Sequence, residues 1–146
     1  MIVKVKKLDD RAILPTYGSA YAAGADLYAL IEGESLTIGA GETILVSTGL
    51  SVEIPEGYVG LIYARSGLAT KKGLAPANKV GVIDSDYRGE VKVALFNQSG
   101  KEQTVAAGER VAQLVIAPYL AVEYQQAEEL SDTARGAGGF GSTGNK

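Results

Sequence analysis

The stretch Leu50-Ser51-Val52-Glu53-Ile54-Pro55-Glu56-Gly57-Tyr58-Val59-Gly60-Leu61-Ile62-Tyr63 decides the fold class. Apolar and polar residues alternate through residues 50–54, the period of a half-buried strand. Pro55-Glu56-Gly57 then supplies turn chemistry, since Pro presets φ and Gly admits backbone angles closed to other residues. A second run, residues 58–63, is rich in the Tyr, Val and Ile that suit a pleated surface. The same unit repeats outward in both directions. Upstream lie β-type runs at residues 2–5, 35–38 and 43–46, the last two parted by Gly39-Ala40-Gly41. Downstream, residues 91–96 and 111–116 flank the turns Gly100-Lys101 and Ala107-Gly108-Glu109. Many short strands between Gly and Pro turns predict an all-β fold, a sandwich, jelly roll or barrel. Helix is expected only as one short turn around residues 66–71 and, more weakly, over 123–130.

The sequence has 146 residues, enough for one domain with a single core. With 46% hydrophobic and 21% charged residues it reads as a soluble globular protein. No apolar run approaches the ~18 residues that cross a bilayer. Residues 1–7 alternate apolar and basic side chains and lack the apolar centre of a signal peptide, so a cytoplasmic location is expected and no membrane partner. The net charge of −3 argues against a duplex nucleic-acid binder, which carries a dense basic face. Cys and His are both absent. That removes thiol nucleophiles, serine–histidine triads and most zinc sites, leaving carboxylates, hydroxyls, Lys, Arg, Tyr and backbone groups. Any metal must accept oxygen ligands, which points to magnesium.

Five segments can carry chemistry, and each also has a plain structural reading. In Asn78-Lys79-Val80-Gly81-Val82-Ile83-Asp84-Ser85-Asp86-Tyr87-Arg88-Gly89-Glu90, carboxylates, a Tyr and an Arg interrupt apolar β sequence. Asp84 at a strand end can take a proton from water as a general base, whereas the plain reading is an Asp-Ser-Asp turn. Arg65-Ser66-Gly67-Leu68-Ala69 opens a helical turn and offers donors suited to phosphate, or is a surface Arg beside a Ser cap. Asp26, entering a strand in Ala23-Gly24-Ala25-Asp26-Leu27, can hold metal-bound water or be a turn carboxylate. Gln113, in Gly108-Glu109-Arg110-Val111-Ala112-Gln113-Leu114, can bond a ligand or face outward from a strand.

The last segment, residues 135–146, has Gly at five of its twelve positions (136, 138, 139, 141 and 144), too many to pack a core. No helix can follow before the chain ends and no Gly-Lys-Ser or Gly-Lys-Thr is present, so neither nucleotide-loop motif applies. A flexible strap with one cation, Arg135, one ring, Phe140, and the hydroxyls Ser142 and Thr143 can close over a phosphorylated base. The plain reading is a tail without a role. The expected division is a β domain over 1–134 and an arm over 135–146.

In order, these segments resemble the trimeric dUTPase family from about Ala23 to Gly144. Gly81-Val82-Ile83-Asp84-Ser85-Asp86-Tyr87-Arg88-Gly89 and Arg135-Gly136-Ala137-Gly138-Gly139-Phe140-Gly141-Ser142-Thr143-Gly144 are the most specific pieces. The resemblance implies a jelly-roll-like β sandwich, three copies of which form a ring with active sites at subunit junctions. It implies hydrolysis of dUTP to dUMP and pyrophosphate with Mg2+ on the triphosphate, which limits uracil in DNA and supplies dUMP. Asp84 matches the general base for attack on the α-phosphorus, and Asp26 the carboxylate that orients waters around magnesium. Arg65, Ser66, Gly67 and Gln113 match polyphosphate contacts. Asn78 and the backbone through Gly81 match the hairpin that reads uracil, and Tyr87 the ring packed on deoxyribose. Arg135, Phe140, Gly141, Ser142 and Thr143 match the closing strap. Ala64 departs from the family, where many relatives have Pro before the Arg. A dCTP deaminase, the nearest alternative, should carry a glutamate where this chain has Ala94. A non-catalytic nucleotide-binding β module is the alternative from another class.

Overall fold

The structure is a computed structural model and describes residues 1–139. Its elements run β1 (Lys4–Lys7), β2 (Thr16–Tyr17), β3 (Ala25–Tyr28), β4 (Ser35–Ile38), β5 (Thr43–Ser47), β6 (Leu50–Glu53) and β7 (Tyr58–Tyr63). Then come α1 (Ser66–Lys72), β8 (Leu74–Pro76), β9 (Gly81–Ile83), β10 (Lys92–Asn97), β11 (Gln103–Ala106) and β12 (Arg110–Pro118). Every strand pair is antiparallel. A five-stranded sheet has the order β2-β3-β12-β7-β9, and the smaller sheets are β5-β10-β8, β1-β6 and β11-β4. The result is an all-β fold, as the strand and turn pattern predicts, with the jelly-roll-like form that the family resemblance implies.

Alternation in sequence becomes alternation in burial. In β10 the pattern Lys92 out, Val93 in, Leu95 in places two side chains in the interior, where they meet Val46 of β5 and Leu74 of β8. The five-stranded sheet answers with Leu27, Ile62, Ile83, Val111 and Leu114. Each such fully buried aliphatic side chain contributes about 1.5–3 kcal/mol of transfer free energy. Among the described residues Asn97 is the one amide sealed inside, at 0% exposure. It bonds the Ile38 and Lys101 carbonyls at 3.0 and 2.8 Å and accepts from the Ser99 amide and hydroxyl, so its burial leaves nothing unpaired.

Two expectations are corrected. The first strand is Lys4–Lys7 rather than 2–5, because its pairing runs from Lys4 opposite Glu53 to Lys7 opposite Leu50 and leaves Ile2 outside at 82% exposure. Residues 123–130 form no helix. The apolar residues leading into them, Leu120, Val122 and Tyr124, recur every second position, which gives a helix no apolar face, and all three are exposed. The short strands β2, β8 and β11 also lie outside the runs expected from sequence, being too brief to show a period.

Candidate active site

Asp26 is the second residue of β3, and the sheet register sets it directly opposite Gln113 of β12. Directly opposed residues share a face, so the two side chains project together. Arg110 stands opposite Tyr28, two positions along β3 from Asp26, and therefore on that face as well. A strand with regular alternation would put Arg110 and Gln113, three apart, on opposite faces. A bulge between Arg110 and Ala112 inserts the extra residue that brings them to the same one. The adjacent pair Val111 and Ala112, both at 0% exposure, are the mark of that break in parity.

The consequence is a compact ion network. Asp26, only 6% exposed, accepts from Arg65 Nε on Oδ1 at 2.7 Å and from Arg110 Nη1 on Oδ2 at 3.2 Å. A buried carboxylate is stable only when paired in this way, and two guanidiniums satisfy both oxygens. Arg65 is aimed by its neighbours: Gln113 Nε2 donates to the Ala64 carbonyl at 2.8 Å, fixing the chain one residue earlier. Gln113 is thus more than an outward strand residue, since its amide orients the turn that carries Arg65.

Arg65 occupies the cap position of α1 with extended backbone angles, and Ser66 is the first helical residue, so the reading of Ser66 as a cap does not hold. Leu68 anchors the helix in the core, and Gly73 ends it at φ 66°. Lys72 ties it to the β11–β12 turn through Glu109 at 2.8 Å and the Thr104 carbonyl at 2.8 Å. Arg65, Gly67, Lys71, Lys72, Glu109 and Arg110 line a cavity of about 410 Å³ whose cations outnumber its one carboxylate.

The second constellation stands on the other side of β7. β9 pairs with β7 through Ile62 opposite Gly81, and the connection from β8 to β9 carries Asn78 at its tip. Asp84 follows β9 and is exposed, opening a turn closed by the Tyr87 amide on the Asp84 carbonyl at 3.1 Å. The turn reading and the functional reading are therefore both satisfied: the backbone forms the turn and the carboxylate stays free of it. Tyr87 Oη donates to the Glu90 carbonyl at 3.0 Å, which lays the ring against Gly89. A Cβ at Gly89 would sit 2.4 Å from that hydroxyl oxygen, so only Gly allows this ring position. Asn78, Gly81, Asp84 and Tyr87 line one cavity of about 550 Å³. Asp84 also borders a wider cavity of about 970 Å³ with Tyr58, Leu61, Asp86, Arg88 and Tyr119.

The sequence-predicted residues thus fall into two groups, of which Arg65 and Gly67 line the cationic cavity and Asn78, Gly81, Asp84 and Tyr87 the one of about 550 Å³. Asp26, Arg65, Gly67 and Gln113 cluster around the ion network, with Ser66 at the helix start; Asn78, Gly81, Asp84 and Tyr87 cluster around the turn. Arg135 joins neither, its Nε donating to the Gly138 carbonyl at 2.7 Å. Phe140, Gly141, Ser142 and Thr143 lie outside the described residues. Sequence reading missed Arg110, Lys79 and Glu90, whose side chain accepts from the Gly49 amide at 2.9 Å. Only the bulge reveals Arg110, and bulges leave no periodic signal.

A family model for dUTPase matches residues 10–144, nearly the whole chain. The chain belongs to the dUTPase family. The deoxyuridine 5'-triphosphate nucleotidohydrolase of Hydrogenobaculum sp. (strain Y04AAS1) is 51% identical over 146 residues, covering 100% of both chains. The enzyme of the same name from Nautilia profundicola is 51% identical over 99% of each. Among solved dUTPases, that of Staphylococcus bacteriophage 80alpha with dUPNHPP is 30% identical, with TM-score 0.88 and 99% of each chain covered. A mutant dUTPase of phage phi11 of S. aureus, described for its coordination of a structural Mg(II) ion, is 27% identical over 88% of this chain and 98% of its own, with TM-score 0.78. The dUTPase match extends through Phe140 to Gly144, so the Gly-rich tail is part of the family pattern.

Proposed function

We propose that this dUTPase hydrolyses dUTP to dUMP and pyrophosphate, with Asp84 as the general base. The observation that carries the reading is the exposed Asp84 carboxylate on the wall of a cavity shared with Asn78, Gly81 and Tyr87. This carboxylate is open to solvent, so a water can reach it. Asp84 takes a proton from a water, whose oxygen forms the new bond to the α-phosphorus while the bond to the bridging oxygen of pyrophosphate breaks. Asn78 and the hairpin backbone through Gly81 read the edge of uracil and leave no room for a thymine methyl. Tyr87 packs on deoxyribose and crowds a 2′-hydroxyl.

Arg65 and Arg110 already face a cationic cavity and supply charge to the polyphosphate, with Ser66, Gly67 and Gln113 beside them. Among the described residues there is no group of three His, Cys, Asp or Glu able to cage a metal. Magnesium carried on the triphosphate would neutralise phosphate charge there, and Asp26 is the carboxylate beside the cationic groups that would meet it. Asp26 fits a water-mediated contact to it, because each carboxylate oxygen retains a lone pair after bonding its guanidinium.

The two half-sites support an assembly in which one subunit's turn meets another's ion network, a homotrimer with sites at its junctions. Exposed Leu120, Val122, Tyr124 and Leu130 on the segment after β12, four apolar side chains without cover, support association in the same way. Residues 135–146 then act as the closing strap, with Phe140 stacked on the base and Arg135, Gly141, Ser142 and Thr143 at the phosphates. No described helix is long and apolar enough to cross a membrane.

A screen of deoxynucleoside triphosphates with magnesium, reading pyrophosphate and ammonia separately, tests the proposal. Pyrophosphate from dUTP without ammonia from dCTP is the expected result. Ammonia release would instead make the protein a deaminase despite Ala94, and neither product would make it a binding module.

A further inference from the structure

Lys79 is the one non-glycine residue with positive φ among those described, at 64°. For a side chain with a Cβ this region is disfavoured, and such residues persist where surrounding contacts hold them. Here the contacts are visible. The Val80 amide donates to the Asn78 carbonyl at 2.7 Å, closing a three-residue turn centred on Lys79, and the Lys79 amide donates to the Pro76 carbonyl at 3.1 Å. The Lys79 ammonium lies 5.6 Å from the centre of the Phe96 ring, within cation–π reach.

Phe96 belongs to β10, the strand that pairs with β8 immediately before this turn, Phe96 itself standing opposite Ala75. The Ala77 amide extends that pairing by one bond to the Ala94 carbonyl at 2.7 Å. Beyond Ala77 the main chain leaves β10, and the Lys79 side chain reaches back to it. Asn78 and Gly81, the walls of the 550 Å³ cavity, flank this tethered residue. Gly81 is itself closely covered, a Cβ there falling 3.1 Å from Asn78 Nδ2.

We infer that Lys79 is a positioning residue for base selection: its left-handed turn and its ammonium on Phe96 hold the Asn78-to-Gly81 backbone in the shape that reads the pyrimidine. The inference rests on the proposed reading of the hairpin as the uracil site. It requires no contact between Lys79 and nucleotide. The side chain acts by narrowing the loop's conformations before the base arrives, so its loss acts on KM and on selectivity rather than on the bond-breaking step.

The test uses Lys79→Ala, Lys79→Gly, Lys79→Arg and Phe96→Leu in the full chain. In Lys79→Ala and Phe96→Leu the Val80 and Gly81 amides of the free protein should exchange with solvent about 2- to 5-fold faster, the factor a cation–π contact at an exposed site supports. KM for dUTP should rise by a similar factor with kcat held, and the preference for dUTP over dCTP and dTTP should fall. Lys79→Arg keeps a cation over the ring and should restore the parent values. Lys79→Gly relieves the backbone angle but removes the tether, so it should be no less stable yet show the raised KM. Parental KM and exchange in Lys79→Ala and Phe96→Leu would overturn the proposal, as would parental KM in Lys79→Gly. Faster exchange in the variants together with a parent that does not turn over dUTP would overturn the functional reading instead.

Discussion

The two halves of the site are built by opposite means. Around Asp26 the order comes from side chains: a carboxylate 6% exposed, two guanidiniums and the Gln113 amide, all mounted on paired strands. Around Asp84 the order comes from backbone: a turn closed by its own amide, a left-handed residue at 79 and a ring lying on Gly89. On the proposed reading, the difference follows from what each half would face. Polyphosphate calls for fixed charge, which must be held in place by countercharge until substrate arrives. A base and a sugar call for shape, which main chain sets more sharply than long side chains do, because it has fewer rotations to lose. The proposed attacking water would add one demand to the second half, a carboxylate open to solvent, as Asp84 is.

The largest effect should come from the group that leaves that backbone untouched. Asp84→Asn is expected to lower kcat by roughly 10²- to 10⁴-fold, the range for loss of a general base, while nucleotide affinity measured by calorimetry stays near the parent's. Turnover within a few-fold of the parent would remove Asp84 from its role. Asp26→Ala should act differently, through stability as well as activity. It strips the countercharge from Arg65 and Arg110, whose side chains are 27% and 48% exposed and so can partly rehydrate. A loss of about 1–3 kcal/mol in urea unfolding is expected. An unchanged midpoint would mean that the ion network does not order this half.

Gly89→Ala tests the backbone half by shape alone. The added methyl must displace the Tyr87 ring, so kcat/KM for dUTP should drop about 10-fold and the ratio of dUTP to UTP turnover should shrink. A variant that keeps both values would show that the ring tolerates another seat. The smallest effect belongs to the clamp on α1. Burial pushes the Glu109 carboxyl up, but the hydrogen bonds from Lys72 and the Ala106 amide outweigh it and hold the group below its ordinary 4.5. A carboxyl lowered on folding stabilises the protein above its unfolded value, and that contribution is lost as pH falls through the folded one. Glu109→Gln should cost less than about 1 kcal/mol near neutrality and flatten the fall in stability below about pH 4.5. A parental pH profile would count against the clamp.

Much of this fold is legible in the sequence. Alternation and turn residues in 50–63 and 91–96 predict strands because the pleat has period two, and the structure forms β6, β7 and β10 there. The turn expected at Asp84 is present, and the short helix after Arg65 begins at Ser66. Where the pattern was too short or its period ambiguous, as at residues 16–17 or 123–130, local reading missed a strand or added a helix.

Sequence alone determined the chemical inventory: with neither His nor Cys, the site had to be made of carboxylates, guanidiniums, hydroxyls and backbone, and the ordered motifs placed those groups in the dUTPase family. Tertiary structure alone decided which of them meet. The bulge that turns Arg110 toward Asp26, the Gln113 bond that aims Arg65 and the reach of Lys79 to Phe96 join residues 84, 49 and 17 positions apart. Such contacts depend on register between strands distant in the chain, and register is set by packing of the whole core rather than by the residues that touch.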